Sequence, residues 1–495
     1  MRPLFDRAGS RAIDQRLIDA GVPGLILMEN AGRGAAEQVL SRFRDRLGHV
    51  VILGGTGQNG GDAWVIARRL TTHGITPRVV LAGDEGAVRG DAGINLGALR
   101  GIGLDITVVR EASALELDGA TLIVDGLFGT GLDRAIEGWR AALIARVNAS
   151  DAPVVALDLP SGIDADTGAV LGAAIEAELT VTFAGHKRGL WQMPGRAHAG
   201  EVVCADIGVP PPRSRDVLLE LADAARWLPR RSLDAHKGRA GHVLVVAGSP
   251  GRTGAAMLSG HGALRGGAGL VTLLSRAREA LDPKVIELMT AALPSEGALE
   301  AALAEAQGKA SAAIGPGLGL DAETRALVLA LTRELPIPAV LDADALTAIA
   351  GARLELVREA AAPRVLTPHP GEAARLLGCT TREVEADRYA AAARLAARSG
   401  HVAVLKGAGT VIAEPSGRLA VCPLGTPALG VAGTGDVLSG ALAAALASID
   451  APFEAACAAV LLHARAGELA ARSDRGLLAR EVGDMLPVAL EDARA

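Results

Sequence analysis

A glycine-rich turn, Gly433-Thr434-Gly435-Asp436, stands at the head of an alanine-rich apolar stretch. Glycines at a helix start free backbone N–H groups for an anion, and the positive end of the helix reinforces them. A carboxylate held beside the phosphates can then act as a base on a hydroxyl. Three further segments, each after a predicted strand, could complete such a site. Lys406-Gly407-Ala408-Gly409-Thr410 offers an amine to neutralise phosphate and glycines for close backbone approach. Gly315-Pro316-Gly317-Leu318-Gly319 offers another close-contact loop, and Thr367-Pro368-His369-Pro370-Gly371-Glu372 fixes a histidine between two prolines. Asp342 and Asp344 fall at a strand end, where they would position substrate or a hydrated magnesium ion; a structural role is the competing reading.

The first half holds a second constellation. Gly55-Thr56-Gly57-Gln58-Asn59-Gly60-Gly61-Asp62 follows the strand pattern HVVIL and can bring N–H groups to an anion. It is neither a dinucleotide fingerprint nor a Walker A loop. The glycine spacing runs on into Gly61-Asp62, no acidic residue near Val80 would hold a ribose, and no Gly-Lys-Ser/Thr follows. Asp125 and Asp158 occupy strand ends, where open parallel sheets bind ligands. Asn59, Asp125 and Ser161 could present hard oxygens to a cation, and burial could tune Asp158 into a general base. Helix-cap or turn contacts are the competing roles of both aspartates. His186-Lys187 either lines the same pocket or lies at the surface.

These residues need strands to hold them. Short apolar runs at 49–53, 77–81, 121–124, 154–157, 180–183 and 201–204 alternate with helical patterns at 10–47, 62–73 and 91–100. A second series, at 242–247, 270–273, 312–315, 339–342, 364–367 and 402–405, precedes helices around 436–448, 452–471 and 479–490. The alternation predicts mostly parallel sheets with helices on both faces. The stiff segment from Gly208 to Arg215 (GVPPPRSR) separates the two series and divides the chain into domains 1–215 and 225–495.

Composition agrees with two soluble α/β cores. A chain of 495 residues exceeds what one core supports, and 49% apolar residues are ample for two. Aromatics are only 2%, so Ala, Leu and Val must fill the cores. That scarcity, with 50 basic against 56 acidic residues, argues against nucleic-acid binding. Cys204, Cys379, Cys422 and Cys457 form no CxxC pair, so neither structural zinc nor a disulfide framework is expected, and a reducing cytoplasm fits. The charged N-terminus lacks a signal-peptide core, and Asp450 and Pro452 interrupt the longest alanine-rich run, so no membrane span is expected.

Taken in order, the motifs resemble those of the bifunctional NAD(P)H-hydrate repair enzymes over nearly the whole chain. MENAG (28–32), GTGQNGGD (55–62), VDGLFGTGLDR (124–134) and DLPSGIDADTG (158–168) resemble the NAD(P)H-hydrate epimerase domain. HKGRAGHVLVVAGS (236–249), GPGLG (315–319), LDADAL (341–346), TPHPGE (367–372), KGAGT (406–410) and GTGDVLSG (433–440) resemble the ADP-dependent NAD(P)H-hydrate dehydratase, a ribokinase-like protein. The fold the resemblance implies is an N-terminal Rossmann-like three-layer sandwich and a C-terminal ribokinase-like α/β domain. The implied activity is interconversion of the R and S hydrates of NADH and NADPH (NADHX and NADPHX). Removal of water from the S form follows, driven by conversion of ADP to AMP and phosphate.

The resemblance also implies roles for residues. Asn59, Asp125 and Ser161 would hold a potassium ion. Gln58, Asn59, Gly60, Gly61 and Asp62, with Gly129, Thr130, Gly131, Leu132, Asp133, Arg134, Ala135 and Asp158, would bind the hydrate, Asp158 doing the acid/base work. In the second domain Ala256, Gly319, His369 and Asp436 would contact the hydrate. Lys406, Gly407, Ala408, Gly409, Thr410 and Gly435 would contact the nucleotide, which brings Mg2+. Asp436 would activate the hydrate hydroxyl, and the Gly435 N–H would stabilise phosphoryl charge. Gln58 and Ala63 depart from the family pattern, which has asparagine and glycine there. A homo-oligomer is expected, a tetramer being one form. The alternatives are a ribokinase-like kinase of a small molecule or vitamin, and a non-catalytic nucleotide-sensing scaffold.

Overall fold

The computed structural model describes residues 1–210, 213–232, 234, 238 and 240–495. Pro211 and Pro212 of the boundary segment, and His236, Lys237 and Arg239 of the HKGRAGHVLVVAGS motif, lie outside the described residues. The chain divides into two compact units, Arg2–Asp216 and Val217–Ala495. Both are α/β, as the alternating patterns predict.

The first unit is built on seven parallel strands. Their spatial order is Ile106–Val109, Arg78–Ala82, Val50–Gly54, Leu122–Gly126, Val154–Leu157, Leu179–Phe183 and Glu201–Ala205. Successive side chains serve opposite faces, which is why the inner strands read as unbroken apolar runs. Ile52 and Val124 pack with Val39 and Trp64 on one face; Val51, Leu53 and Ile123 pack with Leu143 and Ile144 on the other. Strand order reverses between Val50–Gly54 and Leu122–Gly126. The loops beyond their carboxyl ends therefore part and leave a crevice.

The glycine-rich segment at that crevice differs from its predicted form. The helix begins at Gln58, not at residue 62, with Gly57 as its N-cap. Gly60 and Gly61 lie in its first turn for reasons of space. A Cβ on Gly60 would come within 2.1 Å of the Gly55 carbonyl oxygen, and one on Gly61 within 2.5 Å of Met28. A separate short strand, Arg2–Phe5, pairs in parallel with His186–Lys187 and leads into the helix Arg7–Asp19.

The second unit orders its strands Met289–Ala292, Leu270–Ser275, His242–Val246, Ser311–Ile314, Ala339–Leu341, Arg364–Leu366, Val402–Leu405, Thr410–Ala413, Leu419–Cys422 and Asp216–Leu218. The first seven are parallel; Thr410–Ala413 runs antiparallel to both neighbours. Lys406-Gly-Ala-Gly is therefore the turn of a hairpin. The runs TVIA and LAVC are too short to stand out as strands without their partners.

The helix that carries Asp436, Thr434–Leu446, crosses Thr253–Arg265 at close range. A Cβ on Gly262 would lie 2.2 Å from the Val437 carbonyl oxygen, and one on Gly440 only 1.8 Å from that of Ser259. Neither backbone can yield without shifting the Gly433–Asp436 turn. Gly440→Ala therefore should overpack the crossing by more than the ~1 kcal/mol that alanine's helix propensity returns. A net loss of about 2 kcal/mol corresponds to a fall in Tm of roughly 4–8 °C. A melting curve that coincides with the parent's would refute this account of the crossing.

Candidate functional site

The crevice of the first unit is a cavity of about 510 Å3. Gln58, Asn59, Asp62, Gly129, Thr130, Gly131, Leu132, Asp133, Arg134 and Asp158 line it. Gly60 and Gly61 are buried behind the wall, and Ala135 is exposed outside it. Lys187 lines the cavity too, whereas His186 turns away and packs edge-to-face on Trp191, 5.4 Å between ring centroids. Ser10, Arg11 and Asp14 add a wall that no motif announced. They sit on the helix Arg7–Asp19, whose surface charges gave no hint of a ligand.

Asp158 is held from several sides. Its backbone is left-handed, with φ 66°, in the turn after Leu157. Its Oδ1 lies 2.7 Å from the Lys187 ammonium, which is 2% exposed. Its Oδ2 accepts the Thr130 N–H at 2.9 Å and also the Thr130 hydroxyl. Lys187 in turn donates to the Thr182 hydroxyl at 3.0 Å and the Phe183 carbonyl at 2.6 Å. Burial alone would raise the Asp158 pKa, but the Lys187 charge and the hydrogen bonds from Lys187 and Thr130 leave it below the ordinary value. Asp62 goes the other way: burial, then the charges of Asp158 and Asp14, push its carboxyl well up despite Lys187. Two carboxyl groups whose pKa values are pushed in opposite directions thus line the same cavity, the pattern that separates base from acid.

Asp125 lies within the strand Leu122–Gly126, not past its end, and is wholly buried. Its carboxylate accepts the Ser161 N–H at 2.8 Å, the Ser161 hydroxyl at 2.7 Å and the Leu127 N–H at 3.1 Å. Burial still pushes its pKa up to about 6. No lysine or arginine pairs with it among the described residues. The Oδ1 of buried Asn59 has no hydrogen-bond partner, while its Nδ2 donates to the Leu157 carbonyl at 3.1 Å. A buried carboxylate without a counter-cation and an orphaned amide oxygen are oxygens a cation would complete. Of the two family departures, Gln58 faces the cavity. Ala63 is buried against Gly126, whose own Cβ would have met the Ala63 methyl at 2.7 Å.

In the second unit Asp436 lies in the first turn of the helix Thr434–Leu446, whose N-cap, Gly433, has φ 94° and supplies no side-chain cap. The N–H groups of that turn are free for an anion. Lys406 Nζ lies 2.8 Å from Asp342 Oδ1, and Ser439 donates to Asp342 Oδ2. A Cβ on Gly435 would stand 3.4 Å from the Lys406 nitrogen, in van der Waals contact, so the amine lies directly over the turn. Burial, reinforced by Asp342 and Asp344 and opposed by Lys406, raises the Asp436 pKa to about 7. Lys406 is raised: burial lowers it, but Asp342, Glu372 and Asp436 together win.

His369 caps the helix Pro370–Leu377. Its Nδ1 accepts the Gly371 N–H at 3.0 Å, and burial, then Lys406 and Arg375, lower its pKa against Asp342. The neutral ring leaves Nε2 as a donor. Asp344 accepts the Gly319 N–H at 2.9 Å, which binds the GPGLG loop to LDADAL. Gly407 and Ala408 are exposed at the hairpin turn, and Arg388 holds it from beneath through the Leu405 and Lys406 carbonyls, 3.2 Å each. Thr410 closes the turn on the Gly407 carbonyl at 3.0 Å. Ala256 is fully buried under the Gly248 turn and presents no surface. His463, which carried no motif, bonds the Thr434 carbonyl at 2.9 Å; burial lowers its pKa to about 4, so it serves the turn as a neutral ring.

Outside glycine, left-handed backbone occurs among the described residues at Asp158, Ala184 and Ala343. The first two line the cavity and the third joins Asp342 to Asp344. Strain of this kind collects where a side chain must be aimed.

Comparison with known proteins covers both units. The family described as NAD(P)H-hydrate dehydratase matches residues 243–487, and that described as YjeF-related protein N-terminus matches residues 24–189. A bifunctional NAD(P)H-hydrate repair enzyme of Moorella thermoacetica is 40% identical over 494 residues, 95% of this chain and 93% of its own. The corresponding Escherichia coli enzyme is 36% identical, over 94% of this chain and 89% of its own. A Bacillus subtilis ADP/ATP-dependent NAD(P)H-hydrate dehydratase, crystallised with ATP and Mg2+, is 32% identical and covers 55% of this chain and 97% of its own, with a TM-score of 0.48.

Proposed function

The chain belongs to the family of bifunctional NAD(P)H-hydrate repair enzymes, and from that premise we propose how its residues divide the work. It joins an epimerase and a dehydratase in one polypeptide, with residues 1–215 as the first and 225–495 as the second. Full-length similarity to two-domain repair enzymes leaves no place for a simple vitamin kinase or a sensing scaffold. The observation that carries the dehydratase reading is the juxtaposition of Asp436, an uncapped helix start and the Lys406 ammonium across Gly435.

In the dehydratase domain, ADP places its phosphates on the Gly433–Asp436 turn beside Lys406. Asp436 takes the proton of the S hydrate hydroxyl, whose oxygen bonds the terminal phosphorus of ADP, and AMP departs. Phosphate then leaves the ring carbon, taking the oxygen with it. A proton is lost from the adjacent carbon and the ring double bond returns. The Gly435 N–H faces the developing phosphoryl charge, and the neutral His369 ring donates to the hydrate. Among the described residues no group of three His, Cys, Asp or Glu could hold a metal ion. Mg2+ would therefore be held largely by the nucleotide phosphates and water, as that ion prefers.

In the epimerase domain, Asp158 is the base and its partner is Asp62, whose carboxyl is shifted by burial toward its protonated form, with the hydrate lying between helix Gln58–Thr72 and the Gly129–Arg134 segment. Asn59, Asp125 and Ser161 would hold K+, which would neutralise the buried Asp125 and fix the loop that carries Thr130.

The deciding experiment supplies an R/S mixture of hydrated NADH with ADP and Mg2+ and follows NADH by absorbance. Complete recovery is expected. Recovery that stops at the S half would remove the epimerase assignment alone; no recovery with ADP or ATP would remove the dehydratase assignment.

A further inference from the structure

Three basic residues line the cavity of the first unit, and one is already engaged. Lys187 is buried and spends its donors on Asp158, Thr182 and Phe183. Arg11 and Arg134 stand exposed at the rim and form no ion pair among the described residues. Arg134 belongs to the segment that binds the hydrate; Arg11 belongs to no motif. Its Nη2 stands 4.0 Å from where a Cβ on Gly131 would be, so the guanidinium lies over the turn that leads to Arg134.

The helix bearing Arg11 is fastened in place by the second half of DLPSGIDADTG. Arg7 donates from its side chain to Asp164 Oδ2 and from its backbone to Asp166 Oδ1, 2.6 Å each. The preceding strand aligns Phe5 with Lys187. Asp14, one turn beyond Arg11, is close enough to Asp158 and Lys187 for both to act on its carboxyl. The helix therefore faces the reacting carboxylate at one position and the rim at the other.

We propose that Arg11 is a phosphate-binding residue of the epimerase cavity, closing with Arg134 on a phosphoryl group of the hydrated dinucleotide. This rests on the epimerase reading of the cavity. The inner wall carries Asp158 and Asp62, so a phosphate there meets carboxylates. At the rim two unengaged guanidiniums offer the forked donors that phosphate oxygens take. Anchoring the phosphorylated end at the rim directs the nicotinamide end toward Asp158.

The test uses the full chain and the separate R hydrates of NADH and NADPH, following R-to-S conversion by chromatography without ADP. Arg11→Ala should raise KM about tenfold or more with kcat within about twofold, and Arg11→Lys should recover part of the loss. A rise for both hydrates assigns the shared pyrophosphate; a rise for the NADPH hydrate alone assigns the 2′-phosphate. Dehydration of the pure S form should not change, which reports an intact chain. Unchanged KM for both hydrates, or a fall in kcat with KM intact, overturns the role of Arg11. A parent protein that converts neither hydrate overturns the epimerase reading instead.

Discussion

Asp436→Asn should cut recovery of NADH from the pure S hydrate by roughly 10²–10⁴-fold, the range a positioned general base supplies. ADP binding should change only a few-fold, because the free N–H groups of the Gly433–Asp436 turn and the Lys406 ammonium remain. Absorbance at saturating ADP and Mg2+ measures the first quantity, and calorimetric titration the second. A variant that keeps a tenth of the parent rate would sink the assignment of Asp436 as base.

The protonation state of Asp436 adds a pH signature. Its pKa is raised to about 7, first by burial and then by Asp342 and Asp344. The base form is thus lost as pH falls through about 7, and kcat/KM for the hydrate should fall with it in the parent. In Asp436→Asn the residual rate should lack that limb. The same shift fixes the sign of a stability effect. The folded pKa lies above the unfolded value of 3.8, so ionisation opposes folding. The opposition is absent below pH 4, grows between 4 and 7, and is complete above 7. Asp436→Asn should therefore melt no lower than the parent at pH 8 while it loses activity. That combination separates a catalytic role from a structural one.

Much of this was legible in the sequence. Apolar runs gave the inner strands of both sheets because parallel strands covered on both faces need apolar side chains on each. The edges were less legible. Met289–Ala292 and Ile106–Val109 are short and partly exposed, and the hairpin after Lys406 hides its strands behind glycines read as a phosphate loop. Gly60 and Gly61 stand out in the sequence as glycines that bring N–H groups to an anion; the close approach of Gly55 and Met28, which also forbids a Cβ at both positions, has no local signal. Ala256 carried a site role by analogy and lies under the Gly248 turn. Contacts remote in sequence left no local trace. The pairs Lys406–Asp342 and Arg7–Asp164 span 64 and 157 positions. Only the fold brings them together.

Asp158→Asn should abolish R-to-S conversion, by roughly 10²–10⁴-fold, and leave dehydration of the pure S form unchanged. The complication is Lys187. Replacing the carboxylate by an amide leaves a 2%-exposed ammonium with no counter-charge and only neutral acceptors, among them the Thr182 hydroxyl and the Phe183 carbonyl. Breaking a buried pair from one side costs about 3–5 kcal/mol. The single variant should therefore melt several degrees lower at pH 7, and part of its lost activity could be misread as unfolding. The lowered pKa of Asp158 gives the sign: its stabilisation is present above the ordinary carboxylate value of 3.8 and disappears as pH falls below it. The double variant Asp158→Asn with Lys187→Met removes the unpaired charge and should regain most of the melting temperature without regaining epimerisation. If the double variant recovers both, Asp158 serves the fold and the reacting base must be sought elsewhere on the cavity wall. If it recovers stability alone, the carboxylate is needed for the chemistry, and Lys187 is there to keep it ionised.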